Sequence, residues 1–509
     1  MSFRSLFLVA VLCVACTARQ PKSPQYEMSY SVGVDPQGSY LLVDLDLSVS
    51  TVPKGGVVTL NLPRWTPGYY EMMDYAKHLC DFTVVDAAGE PVAWSKEGLN
   101  HWQVSVPADG RLRASWRVLA TQRSVASSFM TEDMAFIAPA GVFMHLDGDL
   151  GHPVTVSFTL PEGWTKISSG LLPTEEGGKC FVAPDFDTLY DSPFLLGNHY
   201  TSTFQHAGRR YDFALATPNG IKEGTFEEDF LRIADAAAEL MGDVPYENYC
   251  LINLGPGGGG LEYLNSQACF SGSTYNFATR RSKVSYLAFT AHEYFHLYNV
   301  KCIRPAELWP IDYEREAFIP TLWISEGFTC YYEFRLLGLA GLAEPDELLN
   351  ELSGYFRRFA PNEGQRHMSL RECSYDIWLN FMNRDRNGQD VRVDYYEKGP
   401  VVGLLMDIAI RRASGMERSL DDVMRGLYYR YYKEQSRGFT EEEFWAEVDR
   451  AAGRPMPELR VLVDTREDID YESFLDDAGL YVDRSDWSIR RVAEPTAEQA
   501  VYLRALNLL

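Results

Sequence analysis

Between residues 25 and about 205 the chain alternates apolar and polar positions in short runs, as in Tyr40-Leu41-Leu42-Val43-Asp44-Leu45-Asp46-Leu47 and Val154-Thr155-Val156-Ser157-Phe158-Thr159-Leu160. A period of two puts every second side chain on one face of a strand. Turn clusters such as Ala88-Gly89-Glu90-Pro91 and Pro161-Glu162-Gly163 break the runs at close intervals, so the region reads as an antiparallel β-sandwich. A small β lobe around 249–272 follows. From Thr225 the spacing is otherwise helical, over 226–241, 284–300, 321–332, 344–359, 401–412, 420–432 and 440–452. Thr440 and Glu443, ahead of Phe444-Trp445, predict a capping box at one helix start. The pattern predicts an α+β multidomain chain: a leading segment 1–24, an amino-terminal β-sandwich 25–205, a mainly helical domain 206–485 and a carboxy-terminal segment 486–509.

Composition narrows the functional classes. With 509 residues, 46% hydrophobic and 23% charged, the chain can bury large cores in more than one domain. Its 47 basic and 71 acidic residues give a net charge of -24, which disfavours nucleic acid as a partner. Cys80, Cys180, Cys250, Cys269, Cys302, Cys330 and Cys373 are widely spaced without a CxxC pair, so they predict no disulfide framework, with one or two bridges left open for an exported chain. At the amino terminus Met1-Ser2-Phe3-Arg4-Ser5 precedes an apolar run over 6–14 that ends at Ala15-Cys16, the plan of an export signal. A small residue before cysteine resembles a bacterial lipoprotein cleavage site, which would leave Cys16 lipid-bearing and 17–24 as a tether; the alternative is ordinary cleavage near Ala18. The expectation is an exported protein, periplasmic or in the cell envelope, that meets a membrane only through a lipid on Cys16.

The candidate chemistry starts at Ala291-His292-Glu293-Tyr294-Phe295-His296. Two histidines four apart on a helix share a face and can bind one zinc ion. Such an ion lowers the pKa of a water toward neutrality, and Glu293 can take the water's proton as it attacks a carbonyl. Downstream, the apolar stretch around Trp323-Ile324-Ser325-Glu326-Gly327-Phe328 holds one carboxylate, which is expensive to bury alone. Glu326 as third metal ligand resolves that cost; a structural salt bridge to an arginine such as Arg335 is the alternative. Upstream, Gly257-Gly258-Gly259-Gly260-Leu261-Glu262 follows an apolar strand and lets backbone approach a ligand closely, with a flexible turn as the plain reading. Tyr395-Tyr396-Glu397-Lys398-Gly399-Pro400 opens a further apolar run and can place a tyrosine hydroxyl near the metal.

The order GGLE, HExxH, WxxEG, YxKG resembles the gluzincin zinc aminopeptidases. The words His292-Glu293-Tyr294-Phe295-His296-Leu297-Tyr298-Asn299-Val300-Lys301, Ile303-Arg304-Pro305 and Leu322-Trp323-Ile324-Ser325-Glu326-Gly327-Phe328-Thr329 are similar to the glycyl aminopeptidase family. Pro63-Arg64-Trp65-Thr66-Pro67-Gly68-Tyr69-Tyr70 looks like the signature of that family's amino-terminal β domain. The resemblance implies a thermolysin-like catalytic domain with zinc on His292, His296 and Glu326, and Glu293 as general base. It further implies Tyr396 as oxyanion donor, Glu262 on the substrate's free α-amino group, and Gly259 and Gly260 against the substrate backbone. Tyr298 stands where the family usually has tryptophan, Cys302 where it has arginine, and Tyr263 where histidine is common; the last bears on pocket shape. The family usually carries a PDZ domain after the catalytic one, and the segment after Tyr481-Val482-Asp483 is too short for it.

Together these readings predict a zinc aminopeptidase acting on peptides and favouring small first residues such as glycine or alanine. The alternatives are a zinc endopeptidase and an inactive hydrolase relative that serves as an exported binding protein. Oligomeric state has no sequence signal.

Overall fold

The structure, a computed structural model, describes residues 26–509 apart from 176, 217–224, 272–277 and 381–390. The export signal and Cys16 lie outside the described residues. Among the described residues no helix is long and apolar enough to cross a membrane.

The alternating region forms three sheets. A six-stranded one runs in the order Cys180–Ala183, Val154–Thr159, Tyr26–Asp35, Tyr40–Val49, Arg111–Leu119, Leu79–Asp86. Its pairs are antiparallel except Tyr26–Asp35 with Val154–Thr159, which run parallel because a long crossover separates them in sequence. The alternation works as predicted: Leu41, Val43, Leu45 and Leu47 are buried while Leu42 is exposed. A four-stranded sheet covers that face, and Phe82 is the joint between them, with its ring 5.5 Å from Trp102 and 6.0 Å from Trp116. A third sheet, of five strands, includes the hairpin Thr121–Ser124 and Ser127–Met130 that reaches toward the catalytic lobe.

The catalytic lobe begins with a five-stranded mixed sheet ordered Tyr200–His206, Arg209–Leu215, Asn248–Pro256, Ser266–Ser271, Gly260–Tyr263. Tyr200–His206, which the sequence placed at the end of the sandwich, pairs along its whole length with Arg209–Leu215 in this sheet. Gly260–Tyr263 is the edge strand, with one side free for another chain. Helices pack behind it. Arg280–Phe295 starts at a capping box of Thr279 with Ser282, and Glu441–Ala452 starts at the predicted box of Thr440 with Glu443. The carboxy-terminal segment is built into this lobe: Ser488–Arg491 pairs with Leu480–Asp483, and the Ser353 hydroxyl donates to the Ile489 carbonyl at 3.1 Å. All seven described cysteines are free thiols, so none of the one or two bridges the sequence left open is formed among them.

One helix crossing sets the geometry of everything downstream. The turn Trp323–Phe328 and the helix Tyr395–Ala413 meet at Gly327 and Gly399, where a Cβ on either would lie within 2.6 Å of the other's α-carbon. The glycines of WxxEG and YxKG are therefore two halves of one contact, which holds Glu326 against the tyrosine pair. A Gly399→Ala variant should lose about 1–3 kcal/mol of stability by overpacking this crossing. Urea unfolding against the parent is the measurement, and an unshifted midpoint would show the crossing to be compliant.

Candidate active site

A cavity of about 1710 Å³ runs between the two lobes. Glu262, His292, Glu293, His296, Glu326, Tyr395, Tyr396 and the Gly258–Gly260 backbone all face it, so the residues singled out from four separate motifs converge. The two histidines project from the helix Arg280–Phe295 and its C-terminal end. Beyond His296 the chain turns into a wider π-helical coil, Leu297–Cys302, kinked at Asn299 (φ -105°, ψ 75°). That kink aims the Asn299 carbonyl at His296 Nδ1, 2.7 Å away, while the Asn299 amide donates to the Ile324 carbonyl at 2.7 Å. One residue thus orients a histidine and ties its helix to the Glu326 turn.

The tautomers follow from these partners. A carbonyl can only accept, so His296 Nδ1 carries the hydrogen and Nε2 presents a lone pair. His292 Nδ1 lies 3.0 Å from Glu333 Oε2, where a carboxylate oxygen likewise accepts. The two Nε2 atoms then face each other at 3.0 Å, with Glu326 Oε2 at 3.3 Å from one and 3.7 Å from the other. Lone pairs and a carboxylate aimed at one point repel unless a cation lies between them. Tetrahedral coordination at the Zn–N length of about 2.0–2.1 Å separates donors by about 3.3 Å, close to the spacing seen. His292, His296 and Glu326 fit a divalent metal on this ground, and all three are buried. Among the described residues Glu326 lies within ion-pair distance of His292 and His296 and of no arginine, and Arg335 pairs with Asp421 at 2.6 Å.

Burial pushes the Glu293 carboxyl up to about 7; Glu262 and Glu326 add to the shift and the two imidazoles oppose it. A group poised there suits proton transfer near neutral pH. Glu326 is shifted the other way: burial alone would raise it, and the imidazoles against it hold it below the carboxylate range. Burial also raises the Glu262 carboxyl, against the pull of His296 and Lys301, and its Oε1 has no hydrogen-bond partner among the described residues. Gly260 has a steric reason: a Cβ there would sit 2.1 Å from Glu293 Oε1 and 2.8 Å from the Phe289 ring. Gly259 has a conformational one, with φ +97°. Tyr396 lies with its ring 6.5 Å from that of His292, and the neighbouring Tyr395 hydroxyl is buried with no hydrogen-bond partner among the described residues. Lys398, the lysine of YxKG, does not face the cavity. It is buried over the Phe359 ring at 5.6 Å, and burial lowers its pKa to about 8.

The amino-terminal lobe completes the site. A Cβ on Gly68 would lie 2.5 Å from Glu262 Oε1, so the Pro67-Gly68-Tyr69 turn forms a wall of the Glu262 pocket. Trp65 Nε1 donates to the Asp312 carbonyl at 2.8 Å and Lys301 pairs with Asp191 at 2.7 Å, locking the lobes together. Tyr263 points away from the cavity and donates to the Val125 carbonyl at 3.2 Å. Its departure from the common histidine therefore alters the lobe interface and not the lining. Tyr298 is likewise buried elsewhere, bonded to the Asp243 carbonyl at 2.7 Å.

Sequence reasoning missed Glu333 and Tyr355. Glu333 takes His292 on one oxygen and the Tyr355 hydroxyl, at 2.8 Å, on the other. Its signal was present, two helical turns after Glu326 on the same face; nothing in the local sequence marked Tyr355.

Two family models match the chain, one described as the peptidase M61 N-terminal domain over residues 29–198 and one as M61 glycyl aminopeptidase over residues 285–402. Among solved structures, an aminopeptidase N family protein from Idiomarina loihiensis is similar with a TM-score of 0.84 at 23% identity, over 92% of this chain and 82% of that one. An M1 zinc metallopeptidase from Deinococcus radiodurans aligns with a TM-score of 0.53 at 15% identity, covering 87% of this chain and 94% of its own. Yeast LTA4 hydrolase in complex with bestatin aligns with a TM-score of 0.51 at 15% identity, over 94% of this chain and 72% of its own. These likenesses show the fold, a sheet-rich amino-terminal region followed by a helical domain. No curated protein matches by sequence.

Because Glu333 orients a proposed metal ligand, Glu333→Ala should weaken divalent-metal binding about 10- to 100-fold while leaving all three donors in place. Competition with a chelator, on protein whose circular dichroism matches the parent, measures it. Unchanged affinity would make the Glu333 contact incidental.

Proposed function

We propose, on the premise that this chain belongs to the M61 glycyl aminopeptidase family, that it is a zinc-dependent aminopeptidase releasing small amino-terminal residues such as glycine or alanine from peptides. Peptidase activity comes with the family; the metal, the residue roles and the side-chain preference are the proposal. The observation that carries it is Glu262: a buried carboxylate with an unpartnered oxygen, two residues along the same edge strand from the glycine that touches Glu293. A desolvated ammonium needs such a charged partner, and its fixed distance from the reacting carbonyl limits cleavage to the first peptide bond.

His292, His296 and Glu326 would hold the ion, and when bound a zinc ion polarises the substrate carbonyl and lowers the pKa of water. Glu333 and the Asn299 carbonyl keep both imidazoles in the tautomer that presents Nε2. Glu293 accepts the proton of the attacking water and passes it to the departing amine. Tyr396 donates its hydroxyl hydrogen to the oxygen that gains charge, and Tyr395 is the control beside it. The edge strand at Gly259 and Gly260 offers backbone groups to the substrate's main chain. The wall at Gly68 leaves little room around the first residue, which supports a small side chain there. Export through residues 1–24, with lipid on Cys16, belongs to the same proposal.

Acetylation separates the aminopeptidase from the endopeptidase reading. Acetylated peptides should be poor substrates, and Glu262→Ala should lose roughly ten- to a hundredfold in efficiency on free peptides and little on acetylated ones. Equal cleavage of both forms by the parent would replace the exopeptidase with an endopeptidase. Independently, Glu293→Gln should keep its metal and lose about 10²–10⁴ in turnover, since the amide cannot take the proton. Turnover near the parent rate would move the base to another group.

A further inference from the structure

We infer that Arg123 binds the free α-carboxylate of a short peptide, so that the enzyme reads both ends of its substrate and favours tri- and tetrapeptides. This rests on the aminopeptidase reading above and adds the specificity of the far end of the same site.

Arg123 belongs to the amino-terminal lobe, in the strand Thr121–Ser124, and lines the cavity beside Gly258, Gly259 and Gly260. The adjacent Val125 side chain is 3.9 Å from where a Gly259 Cβ would project, so this hairpin abuts the glycine loop directly. Arg123 is an exposed residue whose guanidinium is nonetheless anchored: Nη2 donates to the Leu254 carbonyl at 3.1 Å, and Cζ lies 5.0 and 5.7 Å from the centres of the Phe270 and Phe129 rings. Those contacts use one of five N–H donors. Among the described residues no carboxylate lies within ion-pair distance of it, whereas Arg358 in the same cavity is paired with Glu397 at 3.4 Å. In a chain of net charge -24, whose cavity already holds Glu262, Glu293 and Glu326, a preorganised guanidinium without an acidic partner points to an anionic ligand.

Direction and distance select which anion. With the substrate amine at Glu262 and the first peptide bond at Glu293 beside Gly260, the peptide must run from Glu262 toward Gly258, antiparallel to the edge strand. Four residues of extended peptide span about 13 Å at ~3.3 Å each, the length of a tri- or tetrapeptide. The carboxylate of such a peptide arrives where Arg123 stands, and a bidentate pair can form.

The test compares Gly-Ala-Ala and Gly-Ala-Ala-Ala as free acids and as carboxy-terminal amides, in the zinc-loaded parent, Arg123→Gln and Arg123→Lys. The parent should prefer the acids by roughly tenfold in kcat/KM, mostly through KM. Arg123→Gln should bring the acid-to-amide ratio to about one, and Arg123→Lys should restore part of it. A parent ratio near one overturns the proposal without any variant, which covers the case in which the variants do not fold. A preference that survives in Arg123→Gln overturns it too, by placing the carboxylate elsewhere. Failure of the underlying aminopeptidase reading is seen separately, as equal cleavage of acetylated and free peptides.

Discussion

Two imidazole lone pairs and a carboxylate aimed at one point, 3.0 to 3.7 Å apart and out of water, are the constraint around which this molecule is built. Left to themselves these groups would protonate or move apart. They are held by neighbours that only accept hydrogen bonds, the Asn299 carbonyl and Glu333, which fix where the ring hydrogens must be. The kinked coil after His296 and the Gly327–Gly399 crossing serve that purpose, and each is a local irregularity that a regular helix could not reproduce. Further carboxylates in the same cavity, Glu262 and Glu293, deepen the charge imbalance that a cation relieves.

The amino-terminal lobe is part of the candidate site. Gly68 presses on Glu262, Lys301 reaches from the metal-site coil to Asp191, and Tyr263 bonds across to Val125. Burying a lysine and an aspartate together is tolerable because each supplies the other's counter-charge. The pairing also keeps an ammonium near Glu262, which opposes the effect of burial on that carboxyl. Separate lobes would leave the Glu262 pocket without one wall.

The edge strand gives the cavity a direction. Glu262 at one end, Gly260 against Glu293 and the glycine loop beyond it form a track whose length is counted in residues. The Pro67-Gly68-Tyr69 turn walls the Glu262 end of that track, and the Val125 side chain lies against its Gly259 end.

Alternation of period two was enough to show the sandwich, and the helical spacing of HExxH placed two donors on one face, because both depend only on neighbours in sequence. Glu326 was legible as a lone carboxylate in an apolar run, which needed a reason to be buried. The parallel pairing of Tyr26–Asp35 with Val154–Thr159, and the placing of Tyr200–His206 with the catalytic sheet, depend on partners distant in sequence and left no local trace. Tyr263 looked like a pocket residue because it follows Glu262, yet successive strand residues face opposite ways, and only the position of the other lobe showed where it lands. The sequence by itself determined which residues are candidates for the chemistry. The tertiary structure decided what those residues touch, since Glu333 on His292, Gly68 on Glu262 and Arg123 beside the glycine loop meet only when segments tens to hundreds of residues apart pack together.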